Sequence, residues 1–312
     1  MNIFLSRAKF ACILAALWCG GAFPGAANSQ ETGSGLPFLK MGAGADAIAR
    51  GDAMTASAAG AQALFYNPAG LARADESSLL VMHDQNVLGI TNDILGSAVV
   101  LGDWSLGIGL QAESVNGIQI RDVASASPLG TFSSLDGALT GGAALKLSDE
   151  VSIGLNLKAL IEKIYINDAF GAAMDFGAIY APANTHFTYG LALQNIGAMG
   201  VLNNEAVEVP TLIRAGGAYS DMLGAAQELL SYTASLDVEK TFADNGIHIC
   251  GGVEAAYKNT FFLRAGYATG YDASGFSAGV GVKYHFLQFD YALTPYSQNY
   301  GAANTLSVKF AL

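Results

Sequence analysis

The sequence predicts an all-β fold, a transmembrane antiparallel β-barrel of about 14 strands with a small N-terminal helical hatch in its lumen. Three observations predict this fold class. Apolar and polar residues alternate along most of the chain. The mean hydropathy, +0.34, is high for a soluble protein. No run of about 18 or more apolar residues follows residue 27. A closed barrel explains these facts, because only alternate residues face lipid while the others face a polar lumen.

The clearest alternation lies between Val151 and Glu162. The odd positions of this segment are apolar, whereas its even positions are mostly small, polar or charged. A period of two residues is that of a strand, since successive side chains point to opposite faces of the sheet. The segment therefore predicts one spanning strand, and the charges on one of its faces predict a polar interior.

The composition limits the partners of this chain. Charged residues make up only 13% of the sequence, hydrophobic residues reach 52%, and the net charge is −11. A strongly acidic chain repels the phosphate backbone, so we expect no nucleic-acid partner. The expected partner of the outer surface is lipid.

Residues 1–27 are predicted to be a secretory signal peptide. Arg7 and Lys9 supply its positive region, an apolar stretch follows, and residues 25–27 offer a cleavage site of small residues. The apolar stretch is too short to span a membrane, which disfavours an anchor. Removal of the signal leaves one cysteine, and an exported chain without a disulfide indicates a bacterial envelope protein. We expect the mature chain in the outer membrane.

Residues 28–76 are predicted to form a hatch, or plug, inside the barrel. This segment does not alternate, is rich in alanine and glycine, and contains short helix-like pieces at Ala45–Arg50 and Gln62–Phe65. A barrel of this width has an open lumen unless something fills it. A compact segment of small residues can pack against its inner wall.

Residues 77–312 are predicted to form the barrel itself. Turn signals divide them into about 14 strands, and an even number places both ends of the barrel on the periplasmic side. Short turns are expected around Asp103, 149–150, 183–184, 258–260 and 286–287, and longer loops at 115–136, 197–210, 269–275 and 296–303. The segment 221–231 is an exception that is long enough for a short helix. Short turns on one rim and long loops on the other are typical of outer-membrane barrels.

Charges of both signs fall on the inward phase of the strands. They are Glu113, Lys146, Lys158, Glu162, Asp175, Arg214, Asp237, Glu239, Glu254, Arg264, Lys283, Asp290 and Lys309. Two interpretations are open. The charges brace and solvate a polar interior, or they line a path and set its selectivity.

Two hairpins give testable pairs among these charges. A turn centred on Asn259 places Glu254 opposite Arg264, and a two-residue turn at 286–287 places Lys283 opposite Asp290. Opposite charges directly across two strands stabilise their pairing by roughly 0.2–1 kcal/mol.

The most specific string of the chain lies near the N-terminus. It consists of Phe38, Leu39, Gly42, Gly44, Asn67, Pro68, Ala69 and Gly70. It resembles the PorV/PorQ family of outer-membrane proteins, within the wider FadL-like barrel superfamily, whose pattern is F-L-x-x-G-x-G-A-x-A followed by N-P-A-G-L-A. Arg50 and Asp52 depart from the family pattern, which has apolar or small residues there. The match covers about residues 36–73, and the barrel agrees in pattern and length only.

The resemblance implies a barrel of fourteen strands and two alternative functions. The first is a component of type IX protein secretion or cargo handling, with the secretion translocon and cargo proteins as partners. The alternative is a FadL-like channel for uptake of hydrophobic small molecules such as long-chain fatty acids, with a hydrophobic ligand as partner. In this motif we expect Gly70 to supply the backbone freedom with which the chain passes from hatch to first strand.

Enzymatic, metal and cofactor functions are disfavoured. No nucleophile has a recognisable activating partner, and the four histidines lie on separate strands without ligand spacing. Gly42, Gly44 and Ala47 superficially fit a dinucleotide-binding loop, but no apolar strand precedes them. We therefore expect no catalytic residue, no metal and no cofactor.

Overall fold

The structure is a computed structural model that describes residues 35–312 apart from 125–126, 204, 224–228, 244–245, 271–274 and 298–299. The expected signal peptide and the first residues of the hatch lie outside the described residues. The same holds for most of the segment 221–231, for which a short helix was an option. Within the described part of the chain, no helix is both long and apolar enough to cross a membrane.

The described residues form sixteen strands. In chain order they are β1 (Ser78–Gln85), β2 (Ile90–Leu101), β3 (Trp104–Ile120), β4 (Gly130–Lys146), β5 (Val151–Ile164), β6 (Asn167–Tyr180), β7 (Phe187–Met199), β8 (Val201–Leu202), β9 (Glu205–Ala206), β10 (Leu212–Met222), β11 (Leu230–Thr241), β12 (Ile247–Tyr257), β13 (Phe261–Ala268), β14 (Phe276–Tyr284), β15 (Leu287–Pro295) and β16 (Ala302–Ala311).

Fourteen of these strands form one closed antiparallel barrel, which confirms the expected fold class. Each strand pairs with its neighbours in the chain, and β1 closes the barrel against β16, with Ser78 opposite Ala311. The short strands β8 and β9 form a separate hairpin between β7 and β10, which pair directly with each other. A closed barrel has no unpaired edge, so the backbone groups of its wall bond within the wall.

The two faces of the barrel wall have opposite polarity. Ile108 on β3 and Leu157 on β5 point outward and are 58% and 59% exposed, whereas Asn156 and Asp175 point inward and are fully buried. This is the reverse of a soluble domain, in which apolar side chains lie inside. An apolar outer surface around a polar interior is the arrangement of a barrel in lipid.

The two rims of the barrel differ. The terminal rim, which carries the start of β1 and the end of β16, has the connections 102–103, 147–150, 181–186, 223–229, 258–260 and 285–286. The loop rim has the connections 86–89, 121–129, 165–166, 200–211, 242–246, 269–275 and 296–301. The longest connections lie on the loop rim, which in a bacterial barrel faces outward from the cell.

Two expected loops are shorter than the sequence predicts. Most of the segment 115–136 belongs to β3 and β4, whose pairing continues through a register shift between Val115 and Ile118. In the segment 197–210, β7 continues to Met199 before the small hairpin begins. A β-bulge absorbs the one extra residue of β3, so the strand extends past the point where its alternation fails.

One of the two predicted charge pairs is wrong. Glu254 lies directly opposite Arg264, as expected, but Gln288 rather than Asp290 lies opposite Lys283. The turn consists of His285 and Phe286, because β15 already begins at Leu287. A turn that comes one residue earlier shifts every partner on the following strand by two.

Candidate functional site in the barrel lumen

The hatch lies inside the barrel and consists of very short helices. They are the 3₁₀ helices Pro37–Lys40, Gly60–Gln62 and Pro68–Arg73 and the α-helices α1 (Ala45–Ile48) and α2 (Ala63–Tyr66). Helices of about one turn are not stable alone in water. Contacts with the inner wall therefore hold them: α1 packs against β14, β15 and β16, and the last 3₁₀ helix packs against β4, β5 and β6 on the other side of the lumen.

A belt of inward-facing glycines makes room for the hatch. A Cβ atom at any of them would come within 3 Å of a hatch atom: Gly107, Gly142, Gly154, Gly177, Gly190, Gly252, Gly266 and Gly279. At Gly154 it would lie 2.3 Å from the Pro68 carbonyl carbon, and at Gly266 2.1 Å from the Gly51 nitrogen. Because the obstacles at these two sites are backbone atoms, the hatch would have to move.

Amide side chains of the wall bind the hatch backbone. They donate from Gln111 Nε2 to the Phe38 oxygen (2.9 Å), from Asn156 Nδ2 to the Leu64 oxygen (2.9 Å) and from Gln194 Nε2 to the Phe65 oxygen (3.1 Å). At β11 the hatch donates instead. The backbone N–H and hydroxyl of Thr55 both donate to Asp237 at 2.7 Å. Buried carbonyl and amide groups need such partners, so these contacts fix the position of the hatch.

An ion cluster fastens α1 to the last strand. Lys309 Nζ donates to Asp46 Oδ2 at 2.6 Å and to Gln62 Oε1 at 2.8 Å, and Arg50 lies 3.7 Å from the same carboxylate. Burial alone would raise the pKa of Asp46. Lys309, Arg264 and Arg50 together outweigh burial and hold this pKa below its usual value of 3.8. Asp46 is therefore ionised in the folded hatch.

A second polar cluster braces the centre of the hatch. Tyr66 Oη donates to Asp52 Oδ1 at 2.6 Å and accepts from the Ala43 N–H at 2.9 Å. The Arg214 guanidinium of the wall lies 5.6 Å from the Tyr66 ring centroid. Burial raises the pKa of Asp52, although the Tyr66 hydrogen bond partly offsets it. Burial and the Asp52 charge raise the pKa of Tyr66 well above its usual value, so the hydroxyl stays protonated.

The motif residues lie at buried positions of the hatch. Phe38 and Leu39 are buried in an apolar cluster with Leu160 on the wall. Asn67 is fully buried: its Oδ1 accepts from the Ala69 N–H, and its Nδ2 donates to the Thr55 and Ala178 oxygens. Pro68 begins the 3₁₀ helix that Asn67 caps.

Close packing and, at Gly44, a positive φ of 96° explain the motif glycines. A Cβ atom on Gly42 would lie 1.9 Å from Asp52 Oδ1, and one on Gly44 2.5 Å from Gln62 Nε2. For Gly70 the expectation of backbone freedom is wrong, because its φ is not positive. Its Cβ would instead lie 2.1 Å from the Ala58 oxygen, so close approach is the constraint.

Most of the predicted lumen charges have a partner of opposite sign. The pairs are Lys158 with Asp175, Arg214 with Glu239, Arg264 with both Glu254 and Asp290, and Lys309 with Asp46. Asp237 binds Thr55, and Lys146 binds Asp149 on the terminal rim. Lys283 is half-buried at an inward position near the same rim. For the paired residues, bracing of the interior accounts for the charge.

Glu113 and Glu162 lie in a different setting. Together with Asp136 they form a row across three adjacent strands, with Glu113 directly opposite Asp136 and Asp136 directly opposite Glu162. All three face the lumen and are buried. Among the described residues, no salt bridge involves any of them. Sequence reasoning missed Asp136, because it lies in the segment that the sequence predicts to be a loop.

A cavity of about 380 Å³ lies between the hatch and the loop rim. Its lining includes apolar residues of the hatch and of the wall, namely Pro37, Met41, Ile48, Ile90 and Leu212. It also includes the carboxylates Asp52, Asp84, Glu113 and Glu239 and the cations Lys40 and Arg214. The cavity can therefore hold a small molecule against apolar surface, with charged groups from the hatch and from several strands of the wall in its lining.

Comparisons with known proteins find similarity of fold and not of sequence. No protein-family model matches the sequence, and no curated protein matches it. The CymD monoaromatic hydrocarbon channel has a TM-score of 0.64 and 12% identity, over 87% of this chain and 98% of that one. The toluene transporter TodX of Pseudomonas putida has a TM-score of 0.59 and 13% identity, over 87% and 99%. A Pseudomonas aeruginosa FadL homologue has a TM-score of 0.53 and 12% identity, over 90% and 100%.

The chain thus shares the FadL-like fold along nearly the whole length of these neighbours. A closed barrel with an apolar outer surface and this fold is a protein of the bacterial outer membrane.

Proposed function

We propose that this protein is an outer-membrane channel for the uptake of small hydrophobic compounds. The observation that carries the proposal is the cavity of about 380 Å³ between the hatch and the loop rim. Cavities of roughly 300–1,000 Å³ with a mainly apolar lining and a few polar groups are typical ligand sites. This one lies on the outer side of the hatch, where a compound from outside the cell would enter first.

The neighbours support an apolar substrate of small size. Two of them are named as a monoaromatic hydrocarbon channel and a toluene transporter, so toluene is the first compound to test. Long-chain fatty acids, which the resemblance implies, are the second. The neighbours are named as channels or transporters and not as enzymes, which favours the expectation that this chain has no enzymatic activity.

Uptake of labelled toluene by intact cells tests the proposal. Cells that lack the gene should take up toluene more slowly than cells that express it. Ala303→Phe should abolish the difference, because Ala303 lines the cavity and a phenyl ring would fill it. Ala255→Phe is the matched control, since Ala255 points outward from β12 and is exposed. Equal uptake with and without the protein, for both toluene and oleate, contradicts the proposal.

The type IX secretion hypothesis gains no support from the similar folds. It remains the alternative, and a deletion strain separates the two functions. A channel mutant loses solute uptake and keeps its secreted proteins, whereas a secretion mutant loses the secreted proteins and keeps the uptake.

A further inference from the structure

Four polar residues line up across four adjacent strands near the outer end of the lumen. Asn92 on β2 lies opposite Glu113 on β3, which lies opposite Asp136 on β4, which lies opposite Glu162 on β5. All four point inward and are at least nine-tenths buried. Adjacent strands are about 4.8 Å apart, so the three carboxylates span roughly 10 Å. We call these four residues the acidic row.

The acidic row contains buried polar atoms that have no partner. Asp136 Oδ1, Glu162 Oε2 and Asn92 Nδ2 make no hydrogen bond within the described residues. Like charges directly opposite on paired strands destabilise the pairing, and buried polar atoms without a partner add a further cost. The row therefore opposes the stability of the wall that holds it.

Three other lumen carboxylates have a cation as partner. Asp175, Glu239 and Asp290 are bound by a lysine or an arginine of the wall. Ion pairing within the wall explains why those carboxylates are present. It does not explain the acidic row, because no salt bridge within the described residues involves its carboxylates. The row reaches the cavity at Glu113, which is part of its lining together with Pro37 and Ile90.

We propose that the acidic row binds the ammonium group of a hydrophobic amine whose apolar body occupies the cavity. An ammonium group carries three donors and a positive charge, which match carboxylate oxygens that lack both a donor and a cation. A metal ion fits less well, since no three His, Cys, Asp or Glu side chains in the described part of the chain are arranged to hold one. The inference rests on the proposed channel function and specifies its substrate class.

Binding of benzylamine to the purified full-length barrel in detergent tests this inference. Calorimetry should show that benzylamine binds more tightly than benzyl alcohol, which has a similar shape and no charge. The variant Glu113→Gln, Asp136→Asn, Glu162→Gln should bind benzylamine about tenfold more weakly or worse, since charge-assisted hydrogen bonds are lost. Its affinity for benzyl alcohol should not change. Raised ionic strength should weaken benzylamine binding to the wild type and should not weaken it further in this variant.

The matched control removes three carboxylates from the outer surface. Asp122→Asn, Asp168→Asn, Glu205→Gln changes the net charge equally at exposed positions near the loop rim, and it should bind benzylamine as the wild type does. Gel electrophoresis checks that each variant is folded, because a folded barrel migrates differently before and after heating. If the triple variant of the row does not fold, Glu113→Gln alone should still weaken benzylamine binding.

Two results overturn the inference. One is a wild-type barrel that binds benzylamine no better than benzyl alcohol, and the other is a row variant that keeps its affinity for benzylamine. Toluene uptake is measured separately. Normal toluene uptake without amine preference refutes the inference and leaves the channel function standing, whereas amine preference without uptake of any compound refutes the channel function.

Discussion

Arg50 and Asp52 show what single residues contribute to this lumen. Both depart from the pattern that the N-terminal motif resembles, and both are engaged in the folded hatch. Arg50 lies near Asp46, and Asp52 accepts a hydrogen bond from the hydroxyl of Tyr66. Polar residues are tolerated at these positions, of which Arg50 is buried and Asp52 half-buried, because a partner for each one lies within the hatch.

Asp46 gives a prediction for the pH dependence of stability. Its folded-state pKa lies below the usual 3.8, because nearby cations favour the carboxylate. Ionised Asp46 therefore stabilises the fold at pH values above about 4, and this contribution declines as the pH falls below that value. We expect Asp46→Asn to cost about 2 kcal/mol at pH 7, since a hydrogen bond to a charged group is lost.

Thermal unfolding in detergent between pH 7 and pH 3 checks the sign. The difference in midpoint between wild type and Asp46→Asn should be constant down to pH 4 and should shrink below it. Asp122→Asn, an exposed change in the loop after β3, is the control and should leave the midpoint unchanged. A difference that grows on acidification contradicts the assignment.

The inward orientation of most lumen charges was predictable from the sequence, because the alternation along a strand decides which side chains point to lipid and which to the lumen. Their partners were less predictable. Arg264 on β13 binds Asp290 on β15 across Gly281 of the intervening strand β14, whose missing side chain leaves room for the contact. A pairing that depends on the empty space at a glycine cannot be read from the alternation of polar and apolar residues.

At the scale of the strand, the glycine belt decides what the lumen can hold. We expect Gly154→Ala to displace the hatch, because the new methyl group would lie 2.3 Å from the Pro68 backbone. The barrel should still assemble, since β5 keeps its pairing with both neighbours. Ion conductance in planar bilayers should rise above that of the wild type.

Gly141→Ala provides the control for this substitution. Gly141 lies on the adjacent strand β4, and a Cβ atom there would meet nothing within 4 Å. Gly141→Ala has the same effect on backbone entropy as Gly154→Ala but creates no steric clash with the hatch. Equal conductance of the two variants would show that the hatch does not depend on the glycine belt.

The sequence predicted strands well where one face contacts lipid and failed where both faces contact water. Near the loop rim, Ser133 and Asn116 bond to each other on the exposed surface of β4 and β3. With polar groups on both faces the two-residue period disappears, although the backbone continues as a strand. For this reason the sequence predicts a loop at 115–136 and does not place Asp136 among the inward-facing charges.

For the whole molecule, the deletion of residues 36–73 is the decisive experiment on the hatch. The fourteen barrel strands and their closure by β1 and β16 remain. The barrel without this segment should insert and should conduct ions freely, because the short helices that pack against its inner wall are absent.

Sensitivity of cells to large antibiotics and conductance in planar bilayers measure the effect of the deletion. Cells that express the deleted barrel should become sensitive, and cells that express the full chain at the same level serve as the control. An unchanged conductance would mean that the segment is not a barrier.

The position of the hatch at the start of the chain constrains how the protein is made. The hatch touches early strands such as β2 and late ones such as β16, and it joins directly to β1. A ring that had already closed would need this segment to be threaded into it, which protein chains avoid. We therefore expect the sheet to close around a hatch that is already in place. A hatch that does not fit should lower the yield of finished barrels in addition to raising their conductance, whereas a chain without a hatch has nothing to thread and can still close.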